Sequence, residues 1–97
     1  MTLASTQKKY LRGLCHELDP VVTVGGKGLT DAVCAELEQA LTHHELIKVK
    51  LRGQREQRDD WIEMIRQRTG ASVVQKIGQV ACFYRRNPDK PGIAIPE

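Results

Sequence analysis

Val21-Val22-Thr23-Val24-Gly25-Gly26-Lys27-Gly28-Leu29-Thr30-Asp31 changes character twice within a short span. A β-branched run reads as a strand. It stops at a Gly-x-x-Gly, and a helix start follows at once. Thr30 can cap that helix, and Asp31 sits in its first turn, where the dipole favours an acid. Strand, glycine turn and helix in immediate succession open a strand-helix-strand unit. Three glycines within four residues leave no Cβ where the backbone turns, so the backbone of a ligand can come close. The free N–H groups of the next helix's first turn favour an anion, and Lys27 adds a point charge. Those parts make a clamp for a phosphate backbone, and they point to nucleic acid.

Working outward, Leu11, Leu14 and Leu18 recur at helical spacing. They predict a first helix from Ser5 to His16, capped by Ser5 or Thr6 and closed by Asp19-Pro20. Leu29, Val33, Leu37, Ala40 and Leu41 make one apolar stripe of a helix running from Thr30 to His43-His44. Leu46 to Arg52 alternates as a strand should, with Ile47, Val49 and Leu51 on one face and Lys48, Lys50 and Arg52 on the other. A third helix is expected over Gln57–Arg68, stopped by Thr69-Gly70. Ser72–Ile77 and Val80–Arg85 read as two strands joined by the two-residue turn Gly78-Gln79. The order α-β-α-β-α-β-β predicts an α/β fold, a small mixed four-stranded sheet with helices packed on it. Its two strand-helix-strand crossovers imply parallel pairing. Helices on the Ile47 face would leave the lysine face open.

Size and composition exclude several classes. The 97 residues make one domain with one modest core, too small for a core plus a deep enclosed pocket. No run approaches the roughly 18 apolar residues of a membrane span, and Met1–Lys9 lacks the apolar stretch of a signal peptide. A cytoplasmic location and no membrane partner are therefore expected. Cys15, Cys34 and Cys82 are odd in number and widely spaced, which suits thiols in a reducing compartment. With His16, His43 and His44 they fit no standard metal spacing, and no Cys-x-x-Cys occurs. Neither a Walker loop nor a dinucleotide fingerprint is present, so no metal, cofactor or small-molecule substrate is expected. No acid/base pair or activated nucleophile is visible, and the chain reads as a non-enzyme.

Charge is sorted along the chain although the net value is only +3. Leu29 to Ile47 holds Asp31, Glu36, Glu38 and Glu45 and no Lys or Arg. Lys48 to Arg58 holds Lys48, Lys50, Arg52, Arg55 and Arg58 against the single acid Glu56. Lys8, Lys9, Arg12 and Lys27 form a second basic group. A glycine turn alone is usually structural, and an exposed strand face is ordinarily polar. Lys27 inside the turn and the basic strand after it tilt the balance toward RNA. Arg85 and Arg86 could extend the patch from the end of the fourth strand. Tyr84 could stack on a base, but with so few aromatics, Phe83 and Trp61 are expected in the core.

Pro20-Val-Val-Thr-Val-Gly-Gly-Lys-Gly-Leu-Thr30, followed by a helix and His43-His44-Glu45-Leu46-Ile47-Lys48-Val49-Lys50, resembles the CRM domain. That is the RNA-binding domain of chloroplast splicing factors and of bacterial YhbY-like ribosome-associated proteins. The likeness runs from about Leu3 to Arg85, so residues 1–86 are expected to form one CRM-like RNA-binding domain and 87–97 a flexible tail. The resemblance implies a fold like the C-terminal domain of translation initiation factor 3. It also implies binding to large-subunit ribosomal RNA or its precursor, within a pre-ribosomal particle, in ribosome assembly. Carried over, Gly25, Gly26, Lys27 and Gly28 are the RNA-contacting loop and Lys48 and Lys50 the adjacent basic strand. Arg52, Lys8, Lys9 and Arg12 complete the candidate RNA-binding set. The alternative is a protein-interaction module that docks an acidic partner through the basic face, with a purely structural glycine loop.

Overall fold

The computed structural model describes residues 3–95. The elements are α1 (Ser5–Cys15), β1 (Pro20–Val24), α2 (Asp31–His44), β2 (Leu46–Leu51), α3 (Arg55–Thr69), β3 (Ser72–Ile77) and β4 (Val80–Tyr84), in the expected order. Thr30 caps α2 as predicted, its Oγ1 accepting the Val33 N–H at 3.2 Å. Gly70 ends α3 with a left-handed φ of 72°, its N–H donating to the Arg66 carbonyl. The other two helix starts differ from expectation. Ala4 precedes α1, so Ser5 and Thr6 are helical rather than capping. Ala4 carries no side-chain acceptor, and Gln7 Oε1 instead takes the Ala4 N–H at 2.9 Å. In the same way Gln57 Oε1 takes the Gln54 N–H at 3.0 Å, which lets α3 begin at Arg55, ahead of the predicted Gln57.

The strand order is β1-β2-β4-β3. β1 pairs parallel with β2, and β4 pairs antiparallel with both of its neighbours. The second crossover therefore departs from the expected pairing: β2 and β3 run in the same direction but do not touch. β4 folds back between them. Its residues Ala81, Cys82, Phe83 and Tyr84 are all buried and suit a central strand, whereas β3 carries exposed Lys76 and Ile77 and suits an edge.

Both faces of the sheet are covered, which the reading of an open lysine face did not foresee. α2 and α3 pack on Val22, Val24, Ile47, Val49, Leu51, Ala81 and Phe83 through Leu37, Leu41, Ile62 and Ile65. On the other face α1 lays Leu11 and Cys15 over Leu46, Val74, Cys82 and Tyr84. By ordinary strand alternation Val73 faces α2 and α3 and Val74 faces α1, and the register against β4 shifts between Val73 and Gln75. The Cys15 thiol donates to Cys82, and that bond, then burial, pushes the Cys15 thiol far up, so this pair is core rather than chemistry. Tyr84 is buried in the same cluster and is not available for stacking. Among the described residues no helix is long and apolar enough to cross a membrane.

The segment after β4 makes contacts that the sequence does not announce. Glu45 is the buried charged residue among the described residues, 2% exposed, and it holds φ at 60° and ψ at −45°. Few non-glycine residues take a positive φ, and such a backbone costs on the order of 1–3 kcal/mol. The turn aims its carboxylate at the returning chain. Glu45 Oε2 accepts the Asn87 N–H at 2.6 Å, and Oε1 accepts those of Gly92 and Ile93 at 2.6 and 2.9 Å. Ile93 and Ile95 then reach the α1 cluster. Burial, then the Glu45 charge, raises the Tyr84 phenol above its ordinary value. Glu45→Ala strands three backbone donors and is expected to cost about 2–3 kcal/mol. Urea denaturation measures that loss. Amide exchange at Asn87, Gly92 and Ile93 should accelerate together in the variant, and unchanged exchange there would show that the carboxylate does not hold the segment.

Candidate nucleic-acid interface

β1 and β2 are parallel, so the loops that follow them emerge at the same end of the sheet. The Arg52 N–H donates to the Val24 carbonyl at 2.8 Å and ties the two exits together. The β3–β4 turn arrives at that end as well, because Lys50 is in register with Val80 and the Leu51 N–H donates to the Gln79 carbonyl at 2.7 Å. Three segments thus meet there: the glycine loop, the Arg52-Gly53-Gln54 link into α3, and the Gly78-Gln79 turn.

The loop is a tight turn closed by the Gly28 N–H on the Gly25 carbonyl at 2.9 Å. Gly28 has φ 70°, so its glycine is demanded by the backbone. Gly25 and Gly26 are different. Neither has a positive φ, and a Cβ on either would meet nothing within 4 Å. Among the described residues the Gly26 and Lys27 N–H groups have no acceptor. The fold does not require a bare backbone at these two positions, and the bareness faces outward.

Trp61 of α3 supports this end from below. Its indole Nε1 lies 3.5 Å from where a Cβ on Gly28 would be, and its ring edge 2.7 Å from where one on Gly53 would be. The indole is therefore wedged between the two loops and fixes their separation. Trp61 packs against the core as expected, and its half-buried ring also joins core to loop. Arg58 locks the second loop from the side, its Nη1 donating to the Gly53 carbonyl at 2.7 Å.

The candidate residues distribute unevenly. Gly25, Gly26, Lys27, Gly28, Lys50 and Arg52 share the one end, with Lys27 and Arg52 exposed and Lys50 half-buried. Arg55 and Arg58 join them from the start of α3. Both lie near Asp59, whose carboxyl is held below its ordinary value chiefly by a 2.8 Å bond from Lys76. Lys48 sits one pleat further down β2, close enough to Cys15 and Cys82 for its charge to favour their thiolates. Lys8, Lys9 and Arg12 are on α1. Lys8 borders a groove with Leu3, Arg66, Gly70 and Ser72, at the start of the opposite edge strand. The structure does not bring that group to the loop. Arg85 is also elsewhere. Its guanidinium bonds Glu38 Oε1 at 2.7 Å, the Thr69 carbonyl at 3.0 Å and Thr42 Oγ1 at 3.1 Å, so it clamps α2 and α3 to β4 instead of extending a basic patch.

Residues that the sequence reading passed over complete this end. An open groove of about 620 Å³ is lined by Lys50, Arg52, Gly53, Gln54, Gln57, Arg58 and Gln79. The glutamines carry no charge pattern or periodicity that marks them in a linear chain. Only the hairpin register places Gln79 opposite the β2 exit.

The CRS1/YhbY (CRM) domain model matches residues 3–85. The chain belongs to the CRM domain family. That family is one of RNA-binding domains and not of enzymes. A Haemophilus influenzae relative named an RNA-binding protein is 52% identical over 85 residues, covering 87% of this chain and 86% of its own. A Pseudomonas aeruginosa relative, named a probable RNA-binding protein, is 44% identical over 89 residues, covering 91% and 86%. The solution structure of a hypothetical protein from Staphylococcus aureus superposes on this CRM domain with a TM-score of 0.83 at 29% identity, covering 98% of this chain and 100% of that one.

The two kinds of glycine at this end separate experimentally. Gly53→Ala forces a methyl into Trp61 and is expected to destabilise by about 1–3 kcal/mol. Gly25→Ala and Gly26→Ala enter open space at tolerated φ and should leave stability unchanged or raise it by up to about 1 kcal/mol. Thermal denaturation of the three variants decides it, and a Gly26→Ala protein as unstable as Gly53→Ala would make the whole loop a structural requirement.

Proposed function

We propose that this CRM domain binds RNA by its backbone, with the Gly25–Gly28 loop as the clamp and Lys27, Lys50 and Arg52 as the charges beside it. The observation that carries this reading is the outward bareness of Gly25 and Gly26. The fold gives no internal reason for a missing Cβ there, whereas a phosphate backbone lying on the loop does. The unbonded N–H groups of Gly26 and Lys27 suit phosphate oxygens. Lys50, Arg52 and Arg55 supply attraction that is independent of sequence. The names of the relatives support RNA as the partner. Large-subunit ribosomal RNA or its precursor, met in a pre-ribosomal particle in the cytoplasm during assembly, is the further step of the proposal. Its support is the family likeness of the motif pair around Gly25–Gly28 and His43–Lys50. Lys48 lies next to this site, and Lys8, Lys9 and Arg12 belong to a separate basic surface on α1 that a long RNA would reach second.

Fluorescence anisotropy with structured ribosomal RNA fragments across a salt series tests the clamp. Contact with roughly four to six phosphates gives a log–log salt slope of about −3 to −5. Lys27→Ala and Lys50→Ala/Arg52→Ala should each weaken binding and reduce the slope by about 1 per cation removed. Gly26→Ala should weaken binding with no loss of stability. A flat salt dependence, or affinity indifferent to all three changes, rejects the clamp and favours docking of an acidic protein on the basic face.

A further inference from the structure

The groove beside the clamp has a composition that phosphate binding alone does not explain. Three of its lining side chains are amides, Gln54, Gln57 and Gln79, interleaved with Lys50 and Arg52. Phosphate uses donors only, and an amide can supply them, but its carbonyl acceptor has no use on a phosphate. An amide presents a donor and an acceptor side by side, which is the pattern of a base edge.

These amides are available. Among the described residues the side chains of Gln54 and Gln79 have no hydrogen-bond partner, and both residues are exposed. Gln57 is half engaged, because its Oε1 accepts the Gln54 N–H, which leaves only its Nε2 hydrogens to offer. The positions are fixed even though the side chains are free. Gln79 is pinned through its carbonyl to the Leu51 N–H, and Gln54 accepts the Arg58 N–H at 2.9 Å through its own carbonyl. Arg58 also lines the groove, held in place by its bond to the Gly53 carbonyl. The groove is polar and open to solvent, so an extended strand can lie along it. It is also one indole away from the clamp, since Trp61 touches Gly28 on one side and Gly53 on the other.

We infer that this groove is a base-reading subsite, which takes an unpaired nucleobase of the strand whose phosphate lies on the Gly25–Gly28 loop. The inference rests on the RNA reading of the loop and deepens it. Bases in an A-form duplex keep their edges paired or at the bottom of a deep, narrow groove, beyond the reach of glutamines on the rim of a sheet. A splayed, single-stranded base is within reach. Lys50 and Arg52 hold its neighbouring phosphates, while Gln54 and Gln79 address its edge. An amide's donor–acceptor pair matches adenine N6 and N7, so adenine is the favoured occupant.

Anisotropy titrations with labelled short oligo(A), oligo(C), oligo(U) and an RNA duplex test it on the full chain. The wild type should bind oligo(A) about fivefold or more tightly than the weakest of the three single strands. Gln54→Ala/Gln79→Ala should shrink that spread to about twofold or less, with the salt slope and melting temperature unchanged. Lys50→Ala/Arg52→Ala should weaken all three strands by a similar factor and flatten the slope. A wild type that binds the single strands equally overturns the inference, as does a glutamine variant that keeps the full spread. Binding to the duplex alone overturns it too and leaves the backbone clamp standing. Binding to none of the four removes the RNA reading itself.

Discussion

The alternation of β2 constrains the rest of the molecule. Ile47, Val49 and Leu51 commit one face of the sheet to α2 and α3 along its whole length. The other face is divided. Leu46 lies buried under α1, whereas Lys48 and Lys50 are half-buried. One strand of six residues thus passes from doubly buried at its start to half-solvated at its end. The helix α1 packs only over the start, because only there do Leu46, Val74, Cys82 and Tyr84 offer it an apolar floor. The polar end of the sheet is left uncovered for the same reason, and it is the end where both parallel strands discharge their loops. Placing functional loops beyond the carboxyl ends of parallel strands is a general property of such sheets. Here the distribution of apolar residues along a single strand decides which end remains open.

Trp61 converts that open end into a fixed geometry. A glycine loop is entropically costly to order, and its conformational freedom works against a clamp. The indole removes much of that freedom without filling the loop's outer surface. It sits below Gly28 and Gly53, and it acts on the two loops from inside the core. Rigidity is thereby supplied from beneath and access is kept above. The Arg58 bond to the Gly53 carbonyl works in the same sense, using a cation for positioning where a count of basic residues assigns it to a ligand. Arg85 is a further case, because it bridges α2, α3 and β4 at the far end of the sheet. Basic residues in this chain therefore differ in role, and Arg58 and Arg85 are engaged by internal acceptors, whereas, among the described residues, Lys27, Lys50 and Arg52 are not.

The elements were legible because their signals are local. The strand-to-glycine-to-helix transition at Val24–Asp31, the Thr30 cap and the Gly70 stop each depend on a few neighbouring residues, and each stands where the sequence places it. The order β1-β2-β4-β3 was not legible to the same degree. Pattern gives the direction of each strand, but adjacency depends on which of β3 and β4 is apolar on both faces, a comparison between strands rather than a feature of either. The covering of the lysine face by α1 was missed on similar grounds. Leu11 and Leu14 announce an amphipathic helix but not the face it chooses. Glu45 was invisible altogether. It stands in an acidic segment and reads as solvated, and its partners are backbone N–H groups more than forty residues away. No side-chain pattern encodes such a contact.

The glycine loop shows how far a motif carries an argument and where geometry has to take over. As letters, Gly25, Gly26 and Gly28 are equivalent, and all three fit either a structural turn or a ligand contact. As structure they are not. Gly28 is glycine because its φ is positive, and Gly53, which no motif includes, is glycine because Trp61 occupies the space of its side chain. Both are accounted for by the chain itself. Gly25 and Gly26 have no such account, since the space outside them is empty and their backbone would tolerate a side chain. Ala at either place would also reduce the entropy of the unfolded chain, so stability alone gives no reason for glycine there. The proposed clamp would use both properties of this end of the sheet, since a phosphate fits a bare backbone beside the positive field of Lys27, Lys50 and Arg52.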